Sequence, residues 1–234
     1  MDSLVQQPIV IIGGFLSVPR FYKDMAHTLA ELSGQPVYVC NVSLLDWLRS
    51  YSAKGWLNIL FKMKDTIDMA RESGGDRKVI LLGHSSGGVM GRLYLSPEPF
   101  LGYTFNGLNH VSHLITLGSP HYGNHLSPMR SYVQRILPDA YFGKHLEYVS
   151  VAGTAVDTRE KASLITWLSQ IFYRYLSGNG KTAGDGLVPV ACALLKGSTP
   201  IVLEGVGHPF IFAINWYGKP ENVRRWWLKI FPRQ

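Results

Sequence analysis

The sequence has few of the features that mark disulfide-rich, membrane-spanning or nucleotide-binding proteins. Its 234 residues include only two cysteines, Cys40 and Cys192, too few for a disulfide framework. No apolar run reaches about 18 residues, the length that begins to indicate a transmembrane helix. The phosphate-loop patterns G-x-G-x-x-G and G-x-x-x-x-G-K-[ST] do not occur. These absences disfavour all three classes of protein.

Charge is also scarce. Only 17% of the residues are charged, and the formal net charge of +7 is scattered, with no block of five Lys or Arg. This distribution argues against a nucleic-acid partner. The densest basic cluster is "NVRRWW" (222–227), which predicts a terminal helix with solvated arginines and buried tryptophans. The alternative for this cluster is contact with a membrane surface.

The cysteines and the N-terminal stretch indicate the expected cellular compartment. The cysteines are interpreted as reduced core thiols, and the N-terminal stretch "MDSLVQQPIVIIGG" shows no signal-peptide pattern. We therefore expect a cytoplasmic protein, or one of an organelle stroma after removal of a transit peptide.

Short apolar, β-branched runs alternate with helical patterns along the chain. Six runs are predicted strands: 8–13, 36–42, 78–83, 113–118, 147–153 and 199–205. Six segments are predicted helices: 19–32, 54–72, 86–95, 128–137, 161–176 and 220–230. The runs are apolar almost throughout, which is typical of a parallel sheet covered on both faces. We predict one doubly wound α/β domain over residues 1–234, with a mostly parallel six-stranded sheet and helices on both faces.

The third predicted strand ends in Gly83-His84-Ser85-Ser86-Gly87. The pattern G-x-S-x-G between a strand and a helix is the fingerprint of a nucleophile elbow, and it centres on Ser85. A nucleophile there needs a strained turn with positive φ, and side chains two residues before or after it would collide with neighbouring backbone. Ser86 does not fit the centre of the pattern. Its backbone N–H, at the start of the next helix, is instead predicted to bind an oxyanion.

A nucleophilic serine requires a base and an acid that orients the base. His208, in "EGVGHPF", is the only histidine after residue 145 and is the predicted base. Two aspartates qualify as the acid, Asp157 in "GTAVDTR" and Asp185 in "GDGLVPV". The spacing leaves the choice between them open.

Two further residues are predicted to contribute to the site. The N–H of Phe15, in "IIGGFLS", is the second candidate oxyanion donor, with its ring lining the pocket. A plain core role for this ring is the alternative. His84 is predicted to support the site from beside the nucleophile and is also a candidate residue of the substrate pocket. The histidine pairs in "NHVSH" and "HYGNH" have spacings that a metal could use, but no carboxylate lies near them, so no metal is expected.

Taken together, these motifs resemble those of α/β-hydrolases of the lipase/esterase kind, including small single-domain lipases and lipase-like proteins of cyanobacteria and chloroplasts. The resemblance covers nearly the whole chain and rests on "IIGGF", "LLGHSSGGVMGRLYL", "LITLGSPHYG", "GDGLVPV" and "GVGH". It favours Asp185 as the acid, since "GDGLVP" is similar to the family's acid motif. Many relatives have His-Gly before the oxyanion residue, where this chain has Gly13-Gly14, so any role of that histidine is absent.

The resemblance implies hydrolysis of a carboxylic ester, by a lipid or small-molecule esterase that needs no cofactor. Two alternatives stay open. An acyltransferase would use the same residues, and a ligand-binding protein could be built on the same scaffold. The oligomeric state is not predicted.

The connection between the fifth and sixth strands carries an inserted helical segment at about 158–184. Its helix is apolar on most sides, with Trp167 and Phe172 among its large side chains. One interpretation is a buried crossover helix. The other is a cap whose inner face, including Trp167 and Phe172, lines an acyl pocket.

Overall fold

The computed structural model describes residues 5–125, 127–160, 163–209 and 215–232. Six parallel strands form the central sheet, in the order β2-β1-β3-β4-β5-β8. They are β1 (Ile9–Ile12), β2 (Val37–Val39), β3 (Val79–His84), β4 (Val111–Leu117), β5 (Glu147–Thr154) and β8 (Thr199–Glu204). The short strands β6 (Val156–Asp157) and β7 (Ala183–Gly184) pair antiparallel outside this sheet.

Eight α-helices connect these strands within the described residues: α1 (Lys23–Ser33), α2 (Leu44–Arg49), α3 (Ala53–Ser73), α4 (Ser86–Tyr94), α5 (Pro128–Ile136), α6 (Leu164–Ser177), α7 (Val190–Ala193) and α8 (Pro220–Ile230). Short 3₁₀ helices cover Pro19–Tyr22 and Gly107–Asn109. Each of these helices is too short or too polar to cross a bilayer.

The strand order places a crevice beside β1. From β1 the chain first moves to β2 on one side and later returns to β3 on the other. At such a switch point the loops that follow the two strands diverge, and ligands of open α/β sheets bind in the gap between them. The loop after β1 carries Phe15, and the loop after β3 carries Ser85. The topology therefore brings two predicted site segments together.

Both faces of the sheet are covered. Val10 and Ile12 belong to an apolar cluster with α3, α4 and α5, whereas Ile9 and Ile11 belong to a second cluster with α1 and α8. This alternation is the two-residue period of a strand whose two faces are both buried. The predicted sheet, its parallel direction and the helices on both faces are confirmed.

Two helices, α2 and α7, were not predicted. The signal for α2 was present as Ser43 and Asp46, which form a capping box in which each side chain bonds the backbone N–H of the other. At the other end of the chain, Trp226 and Trp227 are buried in the core, as predicted, and Arg224 and Arg225 lie on the outer side of α8.

The α2 cap gives a testable stability effect. The pKa of Asp46 is lowered to about 2: burial raises it, but hydrogen bonds from Lys62 and Ser43 outweigh that effect. Because the folded pKa lies below the unfolded value, the stabilisation is present above pH 4 and is lost as the pH falls toward 2. We expect Asp46→Asn to lower the free energy of unfolding by about 2 kcal/mol at pH 7. Urea unfolding at pH 7 and pH 2.5 measures this difference, and equal losses at both pH values would contradict the prediction.

The inserted helix α6 exposes the large apolar side chains that a buried crossover helix would pack against the sheet. It begins after the N-cap Ser163 and ends at Ser177, and Gly178, with a positive φ of 77°, caps it. Its buried positions are mainly small or polar: Thr166, Ser169, Tyr173 and Leu176. Its large apolar side chains are exposed: Leu164, Ile165, Trp167, Ile171, Phe172 and Tyr175. The first two residues of the predicted helix, 161 and 162, lie outside the described residues.

Candidate active site

Ser85 lies at a strained turn between β3 and α4. Its φ is 52° and its ψ is −122°, a combination that non-glycine residues rarely adopt. A Cβ on Gly83 would lie 2.5 Å from Gly88, and one on Gly87 would lie 2.5 Å from the carbonyl oxygens of Ile12 and Gly13. Both glycines are therefore required by close backbone contact, as the motif predicts, and this packing holds Ser85 in its turn.

The structure brings Ser85, His208 and Asp185 into one hydrogen-bonded chain, here called the candidate triad. His208 Nε2 lies 3.1 Å from Ser85 Oγ, and His208 Nδ1 lies 2.8 Å from Asp185 Oδ2. All three residues are buried. A neutral imidazole with its proton on Nδ1 would donate to Asp185 and accept from the serine hydroxyl.

The Asp185 carboxylate is held by four hydrogen bonds. The backbone N–H groups of Leu187 and Val188 donate to Oδ1, and the Tyr217 hydroxyl and His208 share Oδ2. The His208 backbone N–H also donates to the Asp185 carbonyl, at 2.7 Å. These bonds fix the carboxylate and the imidazole relative to each other, because both backbone and side chain link the two loops.

Tyr217 was not identified from the sequence. It is fully buried, accepts a hydrogen bond from the backbone N–H of Gly153 on β5 and donates to Asp185. Burial and the nearby Asp185 carboxylate raise its pKa well above the usual value. The phenol therefore stays neutral and acts as a fixed donor to the carboxylate.

The other candidate acid lies elsewhere. Asp157 accepts hydrogen bonds from Arg159, and this ion pair lowers its pKa to about 2. Asp157 is the last residue of β6 and its side chain is partly exposed beside Arg159, whereas the Asp185 side chain is buried against His208. The geometry thus places Asp185, rather than Asp157, at the imidazole.

The loop after β1 lies directly against the nucleophile candidate. A Cβ on Gly14 would lie 2.8 Å from Ser85 Cβ and 3.1 Å from His84 Nδ1. A Cβ on Gly13 would meet Ser17 Oγ and the ring of Tyr22. The structure therefore has no room for a side chain at Gly13, since Ser17 and Tyr22 fill that space.

Tyr22 connects this loop to His84. Its hydroxyl accepts from the Gly14 N–H at 2.8 Å and lies 2.8 Å from His84 Nδ1 and 3.1 Å from Ser17 Oγ. Burial raises the pKa of Tyr22 to about 12. His84 thus lies beside Ser85 in contact with Tyr22, its supporting role stays a prediction, and the contact with Tyr22 was not predicted.

His84 also lies beside the candidate base. The centroids of its ring and the His208 ring are 5.1 Å apart, and burial together with His208 lowers the pKa of His84 well below its usual value. A neutral His84 leaves the neighbouring His208 free to gain a proton without meeting a second positive charge.

Phe15 lies in the same loop, with its ring edge-on to Trp47 and Tyr51 of the α2 region. Its role as oxyanion donor and pocket residue stays a prediction. Trp167 and Phe172 lie on the exposed face of α6, and their role as pocket residues also stays a prediction. A depression of about 580 Å³ has Leu16, Phe21 and Trp216 in its lining, and none of the three triad residues contributes to that lining.

Ser86 is the first residue of α4, at the position predicted for an oxyanion donor. Its side chain has a partner that the sequence did not reveal, since Arg130 Nη2 of α5 donates to Ser86 Oγ at 2.8 Å. The Arg130 guanidinium thus contacts the residue that follows the candidate nucleophile Ser85.

No group of three His, Cys, Asp or Glu side chains suited to a metal is found in the described part of the chain. His121, from the spacing that a metal could use, is buried and lies 3.0 Å from Thr116 Oγ1. Burial and Arg92 lower its pKa well below the usual value.

Comparison with known proteins gives a fold. No family model matches the chain, and no curated protein matches its sequence. One similar structure is a protein from Xanthomonas campestris pv. campestris, named for the α/β superfamily of hydrolases, at 15% identity and a TM-score of 0.52 over 95% of this chain and 99% of that one. Another is Est1E from Butyrivibrio proteoclasticus, at 14% identity and a TM-score of 0.51 over 97% of this chain and 89% of that one. The chain therefore has the α/β-hydrolase fold.

Proposed function

We propose that the protein is a serine hydrolase that cleaves carboxylic esters through an acyl-enzyme intermediate. The observation that carries this proposal is the His208 imidazole, which bridges Ser85 Oγ and Asp185 Oδ2 at hydrogen-bond distances. The nucleophile Ser85, the orienting acid Asp185 and the base His208 follow one another along the chain in the order of the α/β-hydrolase arrangement.

In the first half of the reaction, Ser85 Oγ attacks the ester carbonyl carbon while His208 Nε2 takes the hydroxyl proton. Asp185 holds the proton on Nδ1 and stabilises the imidazolium that forms. The tetrahedral intermediate then collapses, the bond to the alcohol oxygen breaks, and His208 returns its proton to the departing alcohol. The acyl group remains on Ser85.

The negative charge of the intermediate needs donors on the other side of the carbonyl. The N–H groups of Ser86 and Phe15 are the proposed donors, because the turns that carry them flank Ser85. Each such donor contributes on the order of 3 kcal/mol to lowering the barrier in related cases. Tyr22 supports this arrangement by anchoring the Gly14 N–H at the base of the loop.

In the second half, water loses a proton to His208 and attacks the acyl carbonyl, and Ser85 regains its proton as the acid leaves. A panel of 4-nitrophenyl and glycerol esters of graded acyl length tests this activity. We expect turnover that disappears in Ser85→Ala. Measurement of products with an added acceptor alcohol separates hydrolysis from acyl transfer, and tight binding without turnover would favour a ligand-binding protein.

The exposed apolar face of α6 leads to a prediction about substrate. A helix with exposed Trp167, Ile171 and Tyr175 next to the acid loop is suited to meeting an apolar acyl chain or a lipid aggregate. We expect Trp167→Asp and Phe172→Asp to lower kcat/KM for long-chain or aggregated esters by about tenfold, an effect expected of one buried apolar side chain. Turnover of a short soluble ester should change little.

The ratio of kcat/KM for long and short esters measures this effect. Met69→Asp is the matched control, because Met69 is as exposed as Trp167, at 57%, and lies near the end of α3 that leads to the amino end of β3. Circular dichroism checks folding. If both esters lose activity equally in a folded variant, α6 does not face the substrate.

A further inference from the structure

Arg130 is a cation beside the candidate nucleophile, and no described residue is its anionic partner. It lies in the first turn of α5 and is half-buried, and its guanidinium donates to Ser86 Oγ. Within the described residues, no carboxylate lies at ion-pair distance from it. Charged side chains are seldom withdrawn from water unless they are paired, since desolvation of the charge is costly.

The groups that face this guanidinium are neutral. Tyr51, after α2, and Tyr175, on α6, are the titratable neighbours that influence Arg130, and burial lowers its pKa. Both tyrosines are exposed, and the His125 ring stacks on Tyr175 at 5.4 Å. The aromatic groups that act on the Arg130 charge are therefore exposed at the surface.

The surrounding helices add positive charge and no negative charge. The sequence of α5, "PMRSYVQRI", has two arginines and no carboxylate, and that of α6, "LITWLSQIFYRYLS", has one arginine and no carboxylate. The same α6 carries the exposed apolar face. This combination of cation and apolar surface is complementary to a molecule that has both an anionic group and an apolar chain.

We infer that Arg130 binds an anionic group of the substrate, so that the preferred esters carry a carboxylate or phosphate near the scissile carbonyl. This inference rests on the proposed ester hydrolysis and names its substrate class. The guanidinium has five N–H donors, of which one serves Ser86, and its planar fork suits the two oxygens of a carboxylate or phosphate. Arg130 is thus a specificity-determining residue.

The hydrogen bond to Ser86 positions the Arg130 guanidinium. Ser86 Oγ accepts from Nη2 and fixes the guanidinium next to the turn that carries Ser85. Because consecutive Cα atoms are only about 3.8 Å apart, an anion held by Arg130 lies close to the ester that Ser85 attacks. The anion neutralises the buried charge when substrate binds, and a neutral ester leaves it uncompensated.

The test compares paired substrates that differ in charge. One pair is 4-nitrophenyl butyrate and the mono-4-nitrophenyl ester of glutaric acid, which places a carboxylate on the acyl side. The other pair is a monoacylglycerol and the corresponding acylglycerol phosphate, which places a phosphate on the alcohol side. The wild-type protein should have the higher kcat/KM for the anionic member of at least one pair, and the pair that shows it identifies the side that Arg130 binds.

We expect Arg130→Gln to lower kcat/KM for that anionic ester by about 10- to 100-fold, the range for loss of a charged hydrogen bond. The neutral ester should change by less than about threefold. Arg130→Lys should be intermediate, because it keeps the charge without the fork. Arg135→Gln, which removes the same charge from an exposed position of the same helix, is the control and should not alter the preference.

Three results would count against the inference. Equal loss for neutral and anionic esters in a folded Arg130→Gln protein would show that Arg130 only supports Ser86. Turnover of neutral esters without preference for the anionic ones would overturn this inference alone. Failure of every ester to turn over would overturn the proposed function itself.

Discussion

Ser85→Ala is expected to lower kcat for every ester on the order of 10⁶-fold, the loss measured when the nucleophile of a serine protease is removed. The same change should abolish labelling by a fluorophosphonate, which bonds to a serine Oγ activated by a neighbouring base and releases fluoride. Ser85 is the serine with positive φ and with His208 Nε2 at 3.1 Å. Mass spectrometry of the labelled protein locates the adduct, and thermal unfolding checks that the variant folds.

Ser86→Ala is the matched control because the two serines are adjacent and both buried. Its proposed contribution to the reaction is a backbone N–H, which alanine retains, and its hydroxyl bonds Arg130 rather than His208. We expect Ser86→Ala to label normally and to keep kcat for a neutral ester within about tenfold. A covalent adduct on Ser86 in the wild-type protein would overturn the assignment.

The features predicted from the sequence are those that neighbouring residues determine. The strands were found because runs such as "VILLGH" are apolar on both faces. Gly83 and Gly87 mark the turn at Ser85 because the backbone contacts that exclude a Cβ there arise within the strand-turn-helix unit and the adjacent β1. The helix α2 could have been found as well, since Ser43 and Asp46 have the spacing of a capping box.

The features that were missed depend on contacts between distant parts of the chain. Tyr22 meets His84 across 62 residues, Arg130 meets Ser86 across 44, and Tyr217 meets Asp185 across 32. No sequence pattern around a tyrosine or an arginine predicts a contact with so distant a residue. The choice between Asp157 and Asp185 has the same origin, because both follow β5 and only the folding of the inserted segment decides which one reaches His208.

The orientation of α6 could not be predicted from the spacing of its apolar residues. A helix with many large apolar residues is expected to bury them, yet α6 buries Thr166 and Ser169 and exposes Trp167. Its inner side is fixed by specific bonds rather than by apolar area: the Tyr173 hydroxyl accepts from the Gly186 N–H, and Gln170 donates to the Thr158 carbonyl. The first bond attaches α6 to the loop that carries Asp185 and the second attaches it to the turn after β6, and the apolar face of α6 is left at the surface.

The bonds that hold Asp185 lead to the second large expected effect. Asp185→Asn should lower kcat by about 10⁴-fold, the scale measured when the acid of a serine protease triad is replaced by its amide. The variant is nearly isosteric, so the hydrogen bonds from Leu187 and Val188 to the side-chain oxygen can persist. An amide N–H can, however, donate to His208 Nδ1, and the imidazole proton then lies on Nε2. A protonated Nε2 cannot accept the proton of the Ser85 hydroxyl.

Asp157→Asn is the control for this prediction, because it removes the same charge from the other candidate. Among the described residues its ionic partner is Arg159, at an exposed turn, so kcat should stay within about threefold of the wild-type value. Steady-state kinetics on one short ester, with thermal unfolding to verify folding, measures both variants. If Asp157→Asn proves the more damaging change, the acid is Asp157 and the Asp185–His208 bond serves only the structure. If both variants retain full activity, then the imidazole needs no carboxylate, and Tyr217, which holds Asp185 from its other side, loses its proposed part in the site.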